Sequence, residues 1–209
     1  MKILVADDHS VVRKGLMQII KDMPEVAEVE EAENGKEVLA KVKTEDFDLV
    51  LLDISMPDKS GLEVLSELKG LNPDLHVLML STYPEDLYAI RTLKAGASGY
   101  LNKNSAPEEL STAIRKAAKG EKYVSSTLAE KLAFTFGSDR DKLPHEKLSD
   151  REFQVMRLIA SGKSLSQIAE TLFLSSKTIS TYRARILEKM DLMNNAEITN
   201  YAIKNNIVD

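Results

Sequence analysis

The sequence predicts an α/β domain built on a doubly wound (βα)5 parallel sheet, followed by an all-α domain of four helices. Three observations carry this. Through about residue 120, short apolar runs alternate with helix-spaced apolar patterns, the signature of parallel βαβ units. Acids, a hydroxyl and a lysine stand at the ends of those runs, where an open parallel sheet places its working site. Beyond residue 147 the short apolar runs stop and only helical periodicity remains.

Lys2–Ala6 is the first apolar run and ends in Asp7 and Asp8. Residues 9–22 follow with Val11, Val12, Leu16, Ile19 and Ile20 at helical spacing. Residues 26–32 alternate as a weaker strand, and 35–42 form a helix with Asn34 as its N-cap. Leu49–Asp53 is unbroken apolar sequence ending in an acid, as expected of a central strand buried on both faces. A helix over 61–68, a strand over 75–81, a helix over 85–95 and a short strand over 98–101 come next. The fifth helix, 107–119, opens on Pro107, a residue helices favour in their first turn. Right-handed crossovers then give a flavodoxin-like sheet.

The domain boundaries expected are 1–120 for this first domain, 121–146 for a linker, and 147–209 for the second domain. The linker is marked by Gly120, a Ser-Ser-Thr cluster at 125–127, Gly137 and Pro144, and carries a short helix at 128–135. The second domain has helices over 149–161, 164–172, 176–190 and 195–205, the first opened by a capping box of Ser149 and Glu152. Its core is expected to include Phe153, Val155, Met156, Ile159, Ile168, Ala169 and Leu172, with Gly162 stopping the first helix.

Net charge over the 209 residues is −5, which argues against a chain that coats nucleic acid indiscriminately. The average hides a split. Residues 1–143 carry 19 Lys and Arg against 25 Asp and Glu, whereas 144–209 carry 9 against 8, and 177–190 carry 4 against 1. An acidic domain therefore precedes one with a locally basic helix. With no cysteine, a disulfide-stapled secreted fold is ruled out. The start lacks the pattern of a signal peptide, and no run reaches the roughly 18 apolar residues of a membrane span. The expected location is the cytoplasm.

If the sheet forms as drawn, Asp7, Asp8 and Asp53 cluster. Three carboxylates in one pocket repel unless a cation sits among them, and an oxygen donor set suits Mg²⁺, with Mn²⁺ able to substitute. The Ser55 carbonyl could complete such a metal shell. Asp53 is then placed as a nucleophile toward a phosphoryl group, with Lys103 supplying positive charge and Ser81 a hydroxyl.

The run Asp53-Ile54-Ser55-Met56-Pro57 with Gly61, the Asp7–Asp8 pair, and the stretch from Ala95 to Lys103 resemble the receiver domain of two-component response regulators over about residues 1–120. The resemblance implies that Asp53 is the phosphoacceptor and that Asp7, Asp8, Asp53 and the Ser55 carbonyl bind Mg²⁺. It implies that Lys103 pairs with the phosphate, that Ser81 is the switch hydroxyl, and that Tyr100 is the aromatic turning inward as Ser81 moves. Asn104 stands where an acid often follows the family lysine.

In the fourteen residues 177–190, Ile179, Tyr182, Ile186 and Met190 fall on one helical face and are expected in the core. Lys177, Ser180, Thr181 and Ala184 fall on another, suited to close approach to a major groove. Arg183 and Arg185 flank that face and would reach phosphates, while Lys189 balances the helix dipole. Ser176 is the expected cap.

Leu148-Ser149-Asp150-Arg151-Glu152, Gly162, Ile168-Ala169, Leu174-Ser175, Lys177-Thr178-Ile179 and Lys189-Met190 resemble the LuxR-type helix-turn-helix over about 147–209. The resemblance implies a recognition helix over 177–190, with Thr178 among its DNA-facing residues, and subunit pairing through 195–205. Tyr182 replaces a histidine often found there.

Together these features imply a DNA-binding transcriptional response regulator. A sensor histidine kinase or small phosphodonor phosphorylates Asp53, which favours a homodimer on promoter DNA. No turnover of a separate substrate is expected, although self-dephosphorylation fits the same chemistry. Two alternatives stay open on the residues alone. One is a constitutive DNA-binding protein whose receiver only dimerises. The other is a small acid-pair phosphatase, against which the helix-turn-helix and the lack of a substrate-cap insertion speak.

Overall fold

The structure is a computed structural model that describes residues 1–83, 85–125, 128–130 and 143–208. The chain divides into two compact units, Met1–Ser138 and Asp139–Asp209. The helix expected at 128–135 lies mostly outside the described residues.

The first unit alternates strand and helix: β1 (Lys2–Ala6), α1 (Ser10–Lys21), β2 (Glu28–Ala32), α2 (Gly35–Thr44), β3 (Leu49–Asp53), α3 (Gly61–Leu71), β4 (His76–Ser81), α4 (Glu85–Lys94), β5 (Gly99–Asn102) and α5 (Pro107–Ala118). The strands lie in the order β2-β1-β3-β4-β5, every pair parallel. All five residues of β3 are buried, because helices cover both faces of the central strands. Asn34 caps α2 as expected, its side chain accepting the Glu37 amide.

One close approach shapes the end of the sheet where the acids sit, and a second lies at the start of β5. A Cβ on Gly61 would lie 2.0 Å from the Asp53 carbonyl oxygen, so α3 starts against the strand end only because residue 61 is glycine. Beyond α5, Tyr123 forms a parallel bridge to Gly99, and a Cβ on Gly99 would meet its carbonyl oxygen at 2.6 Å. Tyr123 is buried in the core cluster with Leu78, Leu101 and Ala113, although its local sequence reads as linker.

The second unit has a short 3-10 turn (Pro144–Lys147), then α6 (Asp150–Ala160), α7 (Leu165–Leu172), α8 (Ser176–Met190) and α9 (Asn195–Lys204). The capping box of Ser149 and Glu152 is present, and Gly162 takes a left-handed φ of 81° just past α6. Phe153, Val155, Met156, Ile159, Ile168, Ala169 and Leu172 are all buried. The cap of α8 is Ser175, one residue earlier than expected, and its hydroxyl accepts the Thr178 amide.

Candidate functional site

β1 and β3 are neighbours in register, so the acids at their ends meet. Asp7 and Asp53 are almost fully buried, while Asp8 lies at the rim. Lys103, just past β5, extends its Nζ to 2.7 Å from Asp7 Oδ2 and 2.7 Å from Asp53 Oδ2. Burial pushes the Asp53 carboxyl above its ordinary range, against the pull of the Lys103 ammonium. Burial also opposes the charge on Lys103, yet Asp53 and Asp7 together hold its pKa above the usual lysine value.

One ammonium shared by two buried carboxylates leaves the pocket negative. Ligand atoms of Asp7, Asp8, His9 and Asp53 lie within 4.8 Å of one another. Neither Asp7 Oδ2 nor Asp53 Oδ2 has a hydrogen-bond donor among the described residues besides that ammonium. An oxygen-rich, net-negative cluster of this size fits a hard divalent cation. The Ser55 amide lies beside it and helps to pull the Asp53 carboxyl down against its burial. His9 was not anticipated as a member. Its Nδ1 is 2.7 Å from Asp8 Oδ1, and only its position after the acid pair could have signalled it.

Ser81, at the end of β4, is buried, and its hydroxyl accepts the Tyr83 amide at 3.0 Å. Lys103 N donates to the Ser81 carbonyl at 2.8 Å, tying the end of β4 to the loop that carries the lysine. The Tyr100 ring is fully buried, and its hydroxyl donates to the Tyr83 carbonyl at 2.7 Å. The inward position expected to follow movement of Ser81 is thus the one the ring holds.

The second unit carries a different surface. Lys177, Ser180, Thr181, Ala184 and Arg185 are exposed along α8, with Thr178 and Arg183 half-buried. A pocket of about 340 Å³ is lined by Ser175, Lys177, Thr178, Thr181, Tyr182 and Arg185. The expected core position of Tyr182 is therefore corrected. It is half-buried and faces this pocket, because it sits at the margin of the apolar stripe, whereas Ile179, Ile186 and Met190 are buried. The hydroxyls of Ser180 and Thr181 donate to the Ser176 and Lys177 carbonyls, leaving their oxygens as outward acceptors. Arg183 Nε donates to Asn195 Oδ1 on α9 at 2.5 Å. Lys189 does more than balance a dipole, since its Nζ lies 2.6 Å from the Glu152 carboxylate of the α6 capping box.

Comparison with known proteins agrees with both halves. Residues 3–115 match the response regulator receiver domain, and residues 146–202 match the bacterial regulatory proteins of the luxR family. The chain belongs to the response regulators. It is 34% identical to Response regulator UvrY of Escherichia coli K12 over 98% of this chain and 94% of that protein. It is 36% identical to Response regulator GacA of Pseudomonas protegens over 100% of this chain and 98% of that protein. Among solved structures, RcsB of Salmonella enterica serovar Typhimurium bound to promoter rprA has a TM-score of 0.65 at 26% identity, covering 96% of this chain and 98% of that one. The regulator thus joins a receiver to a LuxR-type DNA-binding domain and acts in transcription regulation. No helix among its described residues is long and apolar enough to cross a membrane.

Proposed function

We propose that the regulator accepts a phosphoryl group on Asp53 from a sensor histidine kinase or small phosphodonor and in that state pairs on promoter DNA. The observation that carries this is the Lys103 ammonium held 2.7 Å from both Asp53 and Asp7 in a buried, net-negative pocket. An Asp53 oxygen attacks phosphorus while the bond from phosphorus to the donor breaks. Asp7, Asp8, Asp53 and the Ser55 carbonyl would hold Mg²⁺, or Mn²⁺ in its place, which supplies neutralising charge for phosphoryl oxygens. Lys103 leaves Asp53 to meet the new dianion, and the Ser81 hydroxyl turns toward it. Loss of Ser81 from the Tyr83 amide then remakes the loop to which Tyr100 is bonded.

DNA contact is assigned to α8, with Arg183 and Arg185 toward phosphates and Lys177, Thr178, Ser180, Thr181 and Ala184 toward the groove. RcsB, solved on promoter DNA, supports the same partner here. Residues 1–120 and 147–209 are the working parts, joined by 121–146. Pairing through α9 would set two recognition helices roughly one DNA turn apart.

Wild type and Asp53→Asn are compared in a DNA-shift assay with and without a phosphodonor. The wild type is expected to gain affinity and the variant to stay unchanged. An equal response in both would sink the proposal.

A further inference from the structure

α1 buries two residues, Ile20 and, unexpectedly for a charged side chain, Arg13. A guanidinium out of water is costly unless its donors are met. Here Arg13 Nη1 donates to the Asp7 carbonyl at 2.7 Å, Nε to Glu31 Oε2 at 2.7 Å, and Nη2 to Glu33 Oε1 at 2.5 Å. The planar fork therefore ties the turn after β1 to the end of β2, which a lysine's single ammonium cannot do.

The turn so held is the one that presents the acids. The Asp7 amide donates to the Ala32 carbonyl at 3.2 Å, and Asp7 Oδ1 accepts the His9 amide at 2.8 Å. Asp7 Oδ2 meets Lys103. The carbonyl of Asp7 is the remaining polar group of that residue, and Arg13 takes it. Every polar group of Asp7 is thereby held, and Asp8 follows it in the same turn.

We propose that Arg13 is a positioning residue of the acid pocket: by clamping the Asp7 carbonyl it sets Asp7 and Asp8 where a divalent cation needs them, and so governs how readily Asp53 is phosphorylated. This rests on the reading of that pocket as the phosphorylation site. Arg13 touches neither cation nor phosphoryl group. It acts as partners behind metal ligands do, and losing one such partner weakens metal affinity about 10–100-fold.

The test uses the full chain. Mg²⁺ is titrated calorimetrically into wild type, Arg13→Lys and the double variant Glu31→Gln/Glu33→Gln, beside thermal unfolding and acetyl-phosphate labelling over a range of Mg²⁺ concentrations. Arg13→Lys is expected to bind Mg²⁺ about 10-fold more weakly and to recover wild-type labelling at saturating Mg²⁺. The double variant keeps Arg13 but removes its outer anchors, and its affinity is expected to fall in the same direction. Wild-type Mg²⁺ affinity in a folded Arg13→Lys, with only the melting temperature lowered, overturns the proposal. Should Arg13→Lys not fold, wild-type affinity in the double variant overturns it instead. Calorimetry reads Mg²⁺ without phosphorylation, whereas failure of the phosphoacceptor reading would show as labelling that persists in Asp53→Asn.

Discussion

The hydroxyl of Tyr100 donates to the main-chain carbonyl of Tyr83 at 2.7 Å, and the amide of the same Tyr83 donates to the Ser81 hydroxyl at 3.0 Å. One loop residue is thus bonded on one side to the proposed phosphate-sensing hydroxyl and on the other to the buried aromatic of β5. Its ring also stacks on Tyr88 at 5.1 Å between centroids, so the start of α4 moves with it.

Tyr100→Phe keeps the ring and removes the bond. A cost of about 1 kcal/mol in chemical denaturation is expected, as for one buried hydrogen bond. The gain in DNA affinity on phosphodonor treatment should shrink, because the ring no longer registers the loop. A full response in a DNA-shift titration would show that the hydroxyl carries no signal.

Lys103→Met leaves two buried carboxylates without their ammonium. Removing one partner from a buried ion pair costs about 3–5 kcal/mol, and that loss is expected in a denaturant melt. Millimolar Mg²⁺ should restore part of it, since a dication answers the same excess charge. The wild type should gain less from the same addition.

Acid sensitivity of the DNA-binding unit should trace to Glu152. Burial pushes this carboxyl up, but Lys189 and the Ser149 amide outweigh that and hold it below the ordinary value of 4.5. A carboxyl depressed on folding stabilises the fold above its unfolded pKa, and the contribution disappears as pH falls through the folded value. Thermal melts are expected to drop below pH 4.5 in the wild type and to be flatter there in Glu152→Gln. Parallel profiles would remove Glu152 from the account.

Cations on α8 should separate by their partners. Lys177 and Arg185 line an open pocket, whereas Arg183 is held by Asn195. Arg185→Ala is expected to lower the salt-dependence slope of DNA binding by about 1, the signature of one lost phosphate contact, and Lys177→Ala, which removes a cation at the groove, is expected to lower it as well. Arg183→Ala should change it less. Three equal slopes would show that Arg183 leaves Asn195 on DNA.

The parts legible in sequence were those where one strong pattern coincided with one position. β1 and β3 read clearly because unbroken apolar runs ended in acids, and Lys103 read clearly because it followed a short strand. Arg13 did not, since a charge near an apolar helical stripe looks solvated until its three oxygen partners arrive from Asp7, β2 and the turn after β2. Tyr182 lies outside the core because helical spacing gives a direction and not a depth, and the stripe on α8 is narrower than its spacing suggests. That the cap of α8 falls on Ser175 and not Ser176 is not legible, because adjacent serines are equivalent as caps until the backbone is known. Tyr123 was hidden because one bridge has no period.

The bridge from Tyr123 to Gly99 also decides how the receiver can be cut. Along one margin of the sheet, β2 carries Glu28, Glu30 and Glu31, whose charges discourage a foreign strand. The opposite margin, β5, has no such guard, and Tyr123 covers it by its own main chain. A fragment ending at residue 120 would bare that margin and invite a second copy to add its strand there. A fragment ending at residue 125 would keep the bridge at Gly99, and it is expected to self-associate less than the shorter one in gel filtration.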